Sequence, residues 1–116
     1  MPLIKVQMSV KCDDGRKKEI CLALSKICAE GIGKPESYVA SILEDDAVIS
    51  FGGEITEGAF VVVKSIGGLH ADVNRKLSEL ICDCLTNLAG IPGDRIYINF
   101  LEVPGTSWGW NSSIFG

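Results

Sequence analysis

No stretch of the sequence has the roughly 20 consecutive apolar residues that a membrane-spanning helix needs. The opening residues, Met1-Pro2-Leu3-Ile4-Lys5, also lack the basic segment and apolar run of a secretory signal peptide. We therefore expect a cytoplasmic protein. Basic residues are scarce too, since 11 Lys and Arg stand against 15 Asp and Glu for a net charge of −4. This balance argues against a protein that binds nucleic acid electrostatically.

Metal-ligand spacing is missing as well. His70 is the single histidine and no CxxC or HxxxH pair occurs, so we expect no bound metal. The odd number of cysteines argues against a complete set of secreted disulfides. In a reducing compartment these cysteines are expected to be buried apolar side chains. They are Cys12, Cys21, Cys28, Cys82 and Cys84.

Phosphate-binding patterns are also absent. Gly67-Gly68 precedes a predicted helix, as a phosphate-binding loop does, but neither GxxxxGK(S/T) nor GxGxxG is present. Ser65 lies five residues before His70, but no acidic residue is placed to orient that histidine, so a serine nucleophile is not expected. We therefore expect no cofactor of any kind.

Apolar residues, in contrast, are abundant. The 116 residues are 47% hydrophobic, with a mean hydropathy of +0.26, which fits one domain over residues 1–116. A chain of this length buries only about 60 to 70% of the surface that its unfolded form exposes. We therefore expect the remaining apolar surface to line a ligand pocket or to contact another chain.

The first half, about residues 2–57, has the pattern of a β-α-β unit. Arg16–Glu30 carries apolar residues at helical spacing, and Gly31 and Gly33 are expected to end this helix. Apolar, β-branched runs predict the strands. The predicted strands are Pro2–Val10, Tyr38–Leu43 and a minor one over Val48–Phe51.

The second half, about residues 58–116, repeats the plan. Strands are predicted over Ala59–Ile66 and Ile96–Val103, and a helix over Val73–Leu88. Arg16-Lys17 aligns with Arg75-Lys76, which together with the order of elements supports an internal duplication. Two such units predict an α+β fold with a four-stranded mixed sheet. Right-handed crossovers place both helices on one face of the sheet.

The other face of this sheet is then left bare. Runs such as Ala59-Phe60-Val61-Val62-Val63 place apolar side chains on it. Exposed apolar areas of this size mark an interface, and the unpaired strand edges favour association as well. The residues therefore predict an oligomer, although they do not fix its symmetry.

Pro2 is the residue with the most distinctive chemistry. Removal of Met1 would leave a free secondary amine at the start of a strand. An α-amino group titrates near pH 7.7 to 8.0, and apolar surroundings lower its pKa further. A neutral amine near pH 7 can act as a general base. If Met1 is retained, the Pro2 nitrogen is an amide without basicity, and Pro2 merely begins a strand.

Seven short motifs occur in one order between Pro2 and Phe115. They are Pro2, Gly33-Lys34-Pro35 before Tyr38, Phe51-Gly52-Gly53, Ser65-Ile66-Gly67, Asn74-Arg75, Asp94-Arg95-Ile96-Tyr97-Ile98-Asn99 and Gly109-Trp110-Asn111. The most specific are the terminal proline, the segment from Asp94 to Asn99 and the Gly-Trp-Asn near the end. Together the motifs resemble the macrophage migration inhibitory factor family of the tautomerase superfamily.

The resemblance implies a homotrimer with inter-subunit sites and a keto–enol tautomerase, of the phenylpyruvate tautomerase and dopachrome isomerase type, acting on α-keto acids. It implies that Pro2 is the catalytic base, and that Lys34 and the Ile66 amide, beside Ser65, bind the acid end of the substrate. Tyr97 and Asn99 would come from the adjacent subunit. The resemblance implies an apolar rim made of Tyr38, Trp110 and Phe115.

Each of these residues also has a purely structural interpretation. Lys34 can be a solvated charge near a helix end, Tyr97 a core aromatic residue and Asn99 a polar residue near a turn. The tryptophans of the C-terminal segment can cap the core. For the whole protein, the alternative function is that of a secreted or host-directed signalling protein with a vestigial pocket, since members of this family can leave cells without a signal peptide.

The sequence departs from the family pattern at three places. Gly58-Ala59-Phe60-Val61 stands where the vertebrate protein has a CxxC segment, so a thiol oxidoreductase activity is not expected. Lys64 stands in place of a histidine and adds positive charge beside the pocket. Trp108 stands where a smaller aliphatic residue is usual, and its larger ring is expected to narrow the entrance or to change substrate choice.

Overall fold

Two β-α-β units, each followed by a short hairpin, make up the fold of the computed structural model, which describes residues 1–116. The first unit and its hairpin comprise β1 (Pro2–Met8), α1 (Asp14–Ile32), β2 (Ala40–Glu44), β3 (Ser50–Phe51) and β4 (Glu54–Ile55). The second unit and its hairpin comprise β5 (Ala59–Ser65), α2 (Ala71–Ala89), β6 (Ile96–Glu102), β7 (Gly109–Trp110) and β8 (Ser113–Ile114).

The long strands form one four-stranded mixed sheet in the order β2-β1-β5-β6. Each unit contributes a parallel pair, and the two units meet at the antiparallel pair of β1 and β5. Pro2 lies opposite Ser65 and Met8 lies opposite Ala59. The predicted α+β architecture is therefore confirmed, and the beginning of β1 lies beside the end of β5.

Both helices cover the same face of the sheet. Alternate residues of β1 and β5 are fully buried against them, and the helices bury every third or fourth residue in return. The sheet contributes Ile4, Val6, Met8, Ala59, Val61 and Val63, and the helices contribute Ile20, Leu24, Cys28, Leu77, Ile81 and Leu85.

The opposite face is open. It exposes four large apolar side chains, with Ile42 at 42%, Phe60 at 44%, Tyr97 at 62% and Leu101 at 43% of their full accessible surface. This is the bare face that the sequence predicts. We call it the open sheet face below. No helix of the structure combines the length and the apolar character that crossing a membrane requires.

The ends of α1 depend on two different kinds of residue. Asp13 caps the amino end, because its side chain accepts a hydrogen bond from the Arg16 N–H at 2.7 Å. Gly33 ends the helix in the left-handed conformation, with φ of 79°. The assignment of Gly31 as a second terminating residue was wrong, because Gly31 lies inside α1. A methyl group there would overlap the Leu77 side chain of α2, so its role is close helix packing.

One further expectation needs correction. Tyr38 does not begin a strand, because Glu36–Tyr38 forms a 3₁₀ turn in which the Tyr38 N–H donates to the Pro35 carbonyl at 3.1 Å. The last hairpin was not predicted, and its turn places Asn111 and Ser112 at positive φ.

The cysteines are less buried than expected. Only Cys28 is fully buried, and burial raises the pKa of its thiol to about 11. The other four are half-buried free thiols. Cys21 is one of them, and its Sγ donates to the Ser41 carbonyl at 3.2 Å.

Candidate active site

A cleft of about 410 Å³ opens beside the start of β1. Four separate segments of the chain form its walls: the residue before β1, the stretch from Lys34 to the end of the 3₁₀ turn, the residue after β5 and the C-terminal residues after β8. The lining residues are Met1, Lys34, Pro35, Tyr38, Ile66 and Phe115. Four residues that the sequence singled out, Lys34, Tyr38, Ile66 and Phe115, are therefore together in one cleft. We call it the Lys34 cleft.

Met1 separates Pro2 from this cleft. Pro2 is fully buried, whereas Met1 is half-buried and lines the cleft. In this form the Pro2 nitrogen is part of a peptide bond and has no basicity. Removal of Met1 would leave the Pro2 amine next to the space that Met1 occupies.

The surroundings of the chain terminus disfavour a charged amine. Partial burial, and secondly the positive charge of Lys34, lower the pKa of the Met1 α-amino group below its ordinary value. Both effects act on the charged form of the amine, because burial removes its hydration and a neighbouring cation repels it. An amine at this place is therefore held closer to its neutral, basic form.

Lys34 reaches the cleft directly after α1 ends. Its N–H donates to the Ala29 carbonyl at 3.0 Å, which fixes the backbone just beyond Gly33. Its side chain is half-buried and makes no ion pair. The interpretation of Lys34 as a simple solvated charge is therefore disfavoured by its position.

Gly67-Gly68 holds the Ile66 end of the cleft in place. Both glycines have positive φ, at 73° and 81°, a region that side-chain-bearing residues rarely adopt. A Cβ on Gly68 would also lie 2.8 Å from Ile32 Cγ2 and 3.8 Å from Lys34 Cε. The glycine pair therefore allows the end of β5 to approach the end of α1.

Ser65 lies beside Pro2 but not in the wall of the cleft. It is fully buried, and its Oγ has no hydrogen-bond partner. The Oδ1 of Asn74 is buried without a partner as well. Because Ser65 has no bond to His70, nothing in the structure activates it as a nucleophile. Buried polar groups normally find partners, so an unpaired hydroxyl opposite Pro2 is unusual.

Tyr97 and Asn99 do not reach the Lys34 cleft within one protomer. Both are exposed on the open sheet face, as their spacing of two along β6 requires. The Tyr97 ring contacts Phe51 at a centroid distance of 5.0 Å. Trp110 lies at the rim, where it stacks on Phe115 at 5.9 Å and 23°.

A second cleft, of about 290 Å³, is lined by Leu3 near the start of β1 and by Lys64 near the end of β5. Lys64 and Trp108, two residues at which the chain departs from the family pattern, both line it. Its other lining residues are Leu3, Val103, Ser107 and Gly109. We call it the Lys64 cleft. A third cleft, of about 310 Å³, lies between α1 and β2 and contains none of the predicted site residues.

Comparison with known proteins gives one consistent result. The family model described as macrophage migration inhibitory factor matches residues 1–116. The macrophage migration inhibitory factor of Xenopus tropicalis is 36% identical over 115 residues, which cover 99% of each chain.

Two solved structures are similar over nearly the whole fold. The macrophage migration inhibitory factor-like protein of Entamoeba histolytica superimposes with a TM-score of 0.93 at 40% identity, over 98% of each chain. The homologue from Prochlorococcus marinus gives a TM-score of 0.93 at 41% identity, over 98% of this chain and 99% of that chain.

Proposed function

This chain belongs to the macrophage migration inhibitory factor family, and we propose from that premise that it is a keto–enol tautomerase whose general base is the Pro2 amine. The proposed substrates are phenylpyruvate-like α-keto acids and dopachrome-like compounds. The observation that supports the proposal best is that Met1, the residue that covers Pro2, shares a cleft with the unpaired cation of Lys34.

The proposed reaction moves one proton. The neutral Pro2 amine takes a proton from the carbon next to the keto group, so a C–H bond breaks and an N–H bond forms. The Lys34 ammonium and the Ile66 N–H stabilise the negative charge that develops on the enolate oxygen. The Pro2 ammonium then returns its proton to that oxygen, which gives the enol. Fixed groups that stabilise developing charge are commonly the largest contribution to such catalysis.

The local electrostatics suit a neutral base. The two effects that lower the pKa of the Met1 amine, burial and the charge of Lys34, would act on the Pro2 amine in the same place. An amine with a lowered pKa is more fully deprotonated at pH 7 and can accept a proton. The same cation that holds the substrate acid thus keeps the base neutral.

We propose that the active form is a homotrimer with its sites between subunits. The exposed apolar side chains of the open sheet face are then covered by neighbouring protomers. Tyr97 of an adjacent protomer would form one wall of the site, and Asn99 would bind a distal polar group. Tyr38, Trp110 and Phe115 would complete an apolar rim that excludes water.

The proposal is tested by comparing two forms of one protein. Cleavage of a removable N-terminal tag yields a chain that begins at Pro2 or, with one codon more, a chain that keeps Met1. We expect the first form to tautomerise phenylpyruvate at least tenfold faster, with the same oligomeric mass. Intact-mass measurement of protein expressed without a tag shows which form cells produce.

Pro2→Gly provides the matched variant, because it keeps a free amine but loses the secondary amine of the ring. We expect phenylpyruvate turnover to fall at least tenfold while the oligomer persists. If Pro2→Gly retains full activity, or if the form with Met1 is equally active, Pro2 is not the base and the mechanism is wrong.

A second candidate function applies if the protein retains Met1. The Pro2 nitrogen would then be a peptide amide, so the protein would be inert as a tautomerase, and its surface would carry a signalling role typical of the family. Binding of a cell-surface protein at micromolar affinity or better, with no keto acid turnover in either form, would favour this alternative.

A further inference from the structure

Four of the eight lysines are half-buried, and they fall into two pairs. Lys5 and Lys17 each contact a carboxylate, at 3.2 and 3.4 Å. Lys34 and Lys64 make no ion pair, and each of them lines a cleft. The other lysines are exposed to water. The two lysines that are partly withdrawn from water without an ion pair are thus the two that line the clefts near the start of β1.

An unpaired cation in an apolar setting is costly unless it meets an anion. Three of the six residues that line the Lys64 cleft, Leu3, Val103 and Trp108, are apolar. Such a site suits a carboxylate attached to an aromatic or aliphatic body, with the acid on Lys64 and the body against Trp108.

The Lys34 cleft and the Lys64 cleft both lie at the beginning of β1. Met1 lines the first and Leu3 lines the second, so Pro2 is the residue between them. Lys64 is also the cross-strand partner of Leu3, directly before the Pro2–Ser65 pair. The C-terminal segment borders both clefts, through Phe115 in one and Trp108 in the other. A ligand that lies over Pro2 therefore has a cation available on each side.

We propose that Lys64 binds a second acidic group of the substrate, so that this chain prefers α-keto acids that carry two carboxylates. This inference rests on the proposed tautomerase function and names its substrate class. The carboxylate next to the keto group binds Lys34, the reacting carbon lies over Pro2, and the distal carboxylate binds Lys64. Trp108 packs against the apolar part that joins the two acids.

The test uses two α-keto acids that differ by one carboxylate, phenylpyruvate and (4-carboxyphenyl)pyruvate. The quantity measured is the ratio of kcat/KM for the diacid to that for the monoacid, in protein that begins at Pro2. We expect Lys64→Met to lower this ratio about tenfold, because the variant keeps the apolar stem but loses the cation. Lys64→Arg should preserve the ratio. Lys26→Met is the matched control, because it removes one charge from an exposed position on α1.

A binding measurement avoids dependence on turnover of the diacid. Benzene-1,4-dicarboxylate and benzoate are compared as inhibitors of phenylpyruvate turnover. We expect the dicarboxylate to inhibit at least fivefold more strongly in the unsubstituted protein and in Lys26→Met, and the difference to disappear in Lys64→Met. Native mass spectrometry checks that every variant keeps the same oligomeric state.

The outcomes separate this inference from the proposed function. If phenylpyruvate is turned over but neither ratio changes in Lys64→Met, the second acid site does not exist, although the tautomerase stands. If the Lys26→Met control changes the ratios equally, the effect is one of overall charge and the inference is wrong. If protein beginning at Pro2 turns over neither acid, the proposed tautomerase function is wrong, and the inference that rests on it is wrong as well.

Discussion

Gly31→Ala should destabilise the protein, although alanine is the better helix former. In the interior of a helix this exchange gains about 1 kcal/mol of stability from propensity alone. Here the added methyl group would overlap Leu77 Cδ2 and lie 3.1 Å from Leu77 Cγ. Leu77 is fully buried, so its side chain can shift only against packed neighbours, and overpacking of this kind costs about 1 to 3 kcal/mol. Because the gain in helix propensity offsets about 1 kcal/mol of this cost, we expect a net loss of up to about 2 kcal/mol.

A double-mutant cycle assigns the loss to the contact between the helices. Leu77→Ala alone should cost about 2 to 5 kcal/mol through the cavity that it leaves. In that background the methyl group at Gly31 has space, so Gly31→Ala should be neutral or stabilising by up to about 1 kcal/mol. The expected coupling between the two positions is therefore about 2 kcal/mol. Gly15→Ala, in the first turn of α1 and 3.4 Å from Asp13 Oδ1 only, is the control and should be neutral or slightly stabilising.

The assay is urea unfolding followed by circular dichroism at one fixed protomer concentration, since the stability of an oligomer depends on concentration. The midpoint of thermal unfolding should fall by roughly 4 °C for each kcal/mol. If Gly31→Ala is as stable as the parent or more stable, α1 and α2 do not approach as closely as the structure shows. The packing argument for Gly31 would then fail.

Two further predictions concern buried polar groups. Burial raises the pKa of the Cys28 thiol to about 11. Between about pH 9 and 11 the folded protein therefore keeps the thiol proton, whereas the unfolded chain loses it. The free energy of unfolding should fall by up to about 2 kcal/mol across this pH window. Unfolding measured from pH 8 to 11 should show a shallower decline in Cys28→Ala, and equal slopes would contradict the assignment. Ser65→Ala removes a buried hydroxyl that has no partner and should raise the free energy of unfolding by about 1 kcal/mol, whereas a loss of stability would show that Oγ has a partner such as a bound water.

The sequence predicts the main elements well because their signals are local. The alternation of β1 and β5 and the apolar spacing of α1 and α2 reflect burial on one face, which the structure confirms. The open sheet face is predicted as well, because right-handed crossovers place both helices on one side of the sheet and leave the other side uncovered. These expectations need only the period of apolar residues and the order of elements.

The errors arise where a distant part of the chain decides the local structure. A glycine near a helix end resembles a cap, and only the approach of Leu77 shows that Gly31 is a packing residue. Tyr38 has the residue type of a strand, but Pro35 starts a turn that delays the strand to Ala40. The hairpin around Asn111 has strands of two residues, too short for any periodic signal.

The candidate site also has residues that local sequence signals predict and residues that depend on distant parts of the chain. Residue chemistry alone singles out Pro2, and the resemblance supplies Lys34 and Tyr38, which are four residues apart, together with the distant Ile66. Neither source indicates that Lys64 and Trp108 share a cleft of their own, because that depends on how the C-terminal segment returns to the start of β1. The sequence also does not predict which lysines form ion pairs. Only the structure shows that Lys5 contacts a carboxylate and that Lys64 does not.

The antiparallel pairing of β1 with β5 gives the protomer two matching corners, one where Pro2 meets Ser65 and one where Met8 meets Ala59. The two corners are equivalent as scaffolds, but they cannot do the same chemistry. The nitrogen of Ala59 lies in the middle of the chain and is a peptide amide, whereas the nitrogen of Pro2 can become a free amine. Repetition of a β-α-β unit therefore enlarges the sheet without multiplying the reactive group. In the proposed mechanism the second repeat provides a wall of the cleft and the Ile66 backbone donor, and in the proposed trimer it contributes to the surface on which protomers would meet.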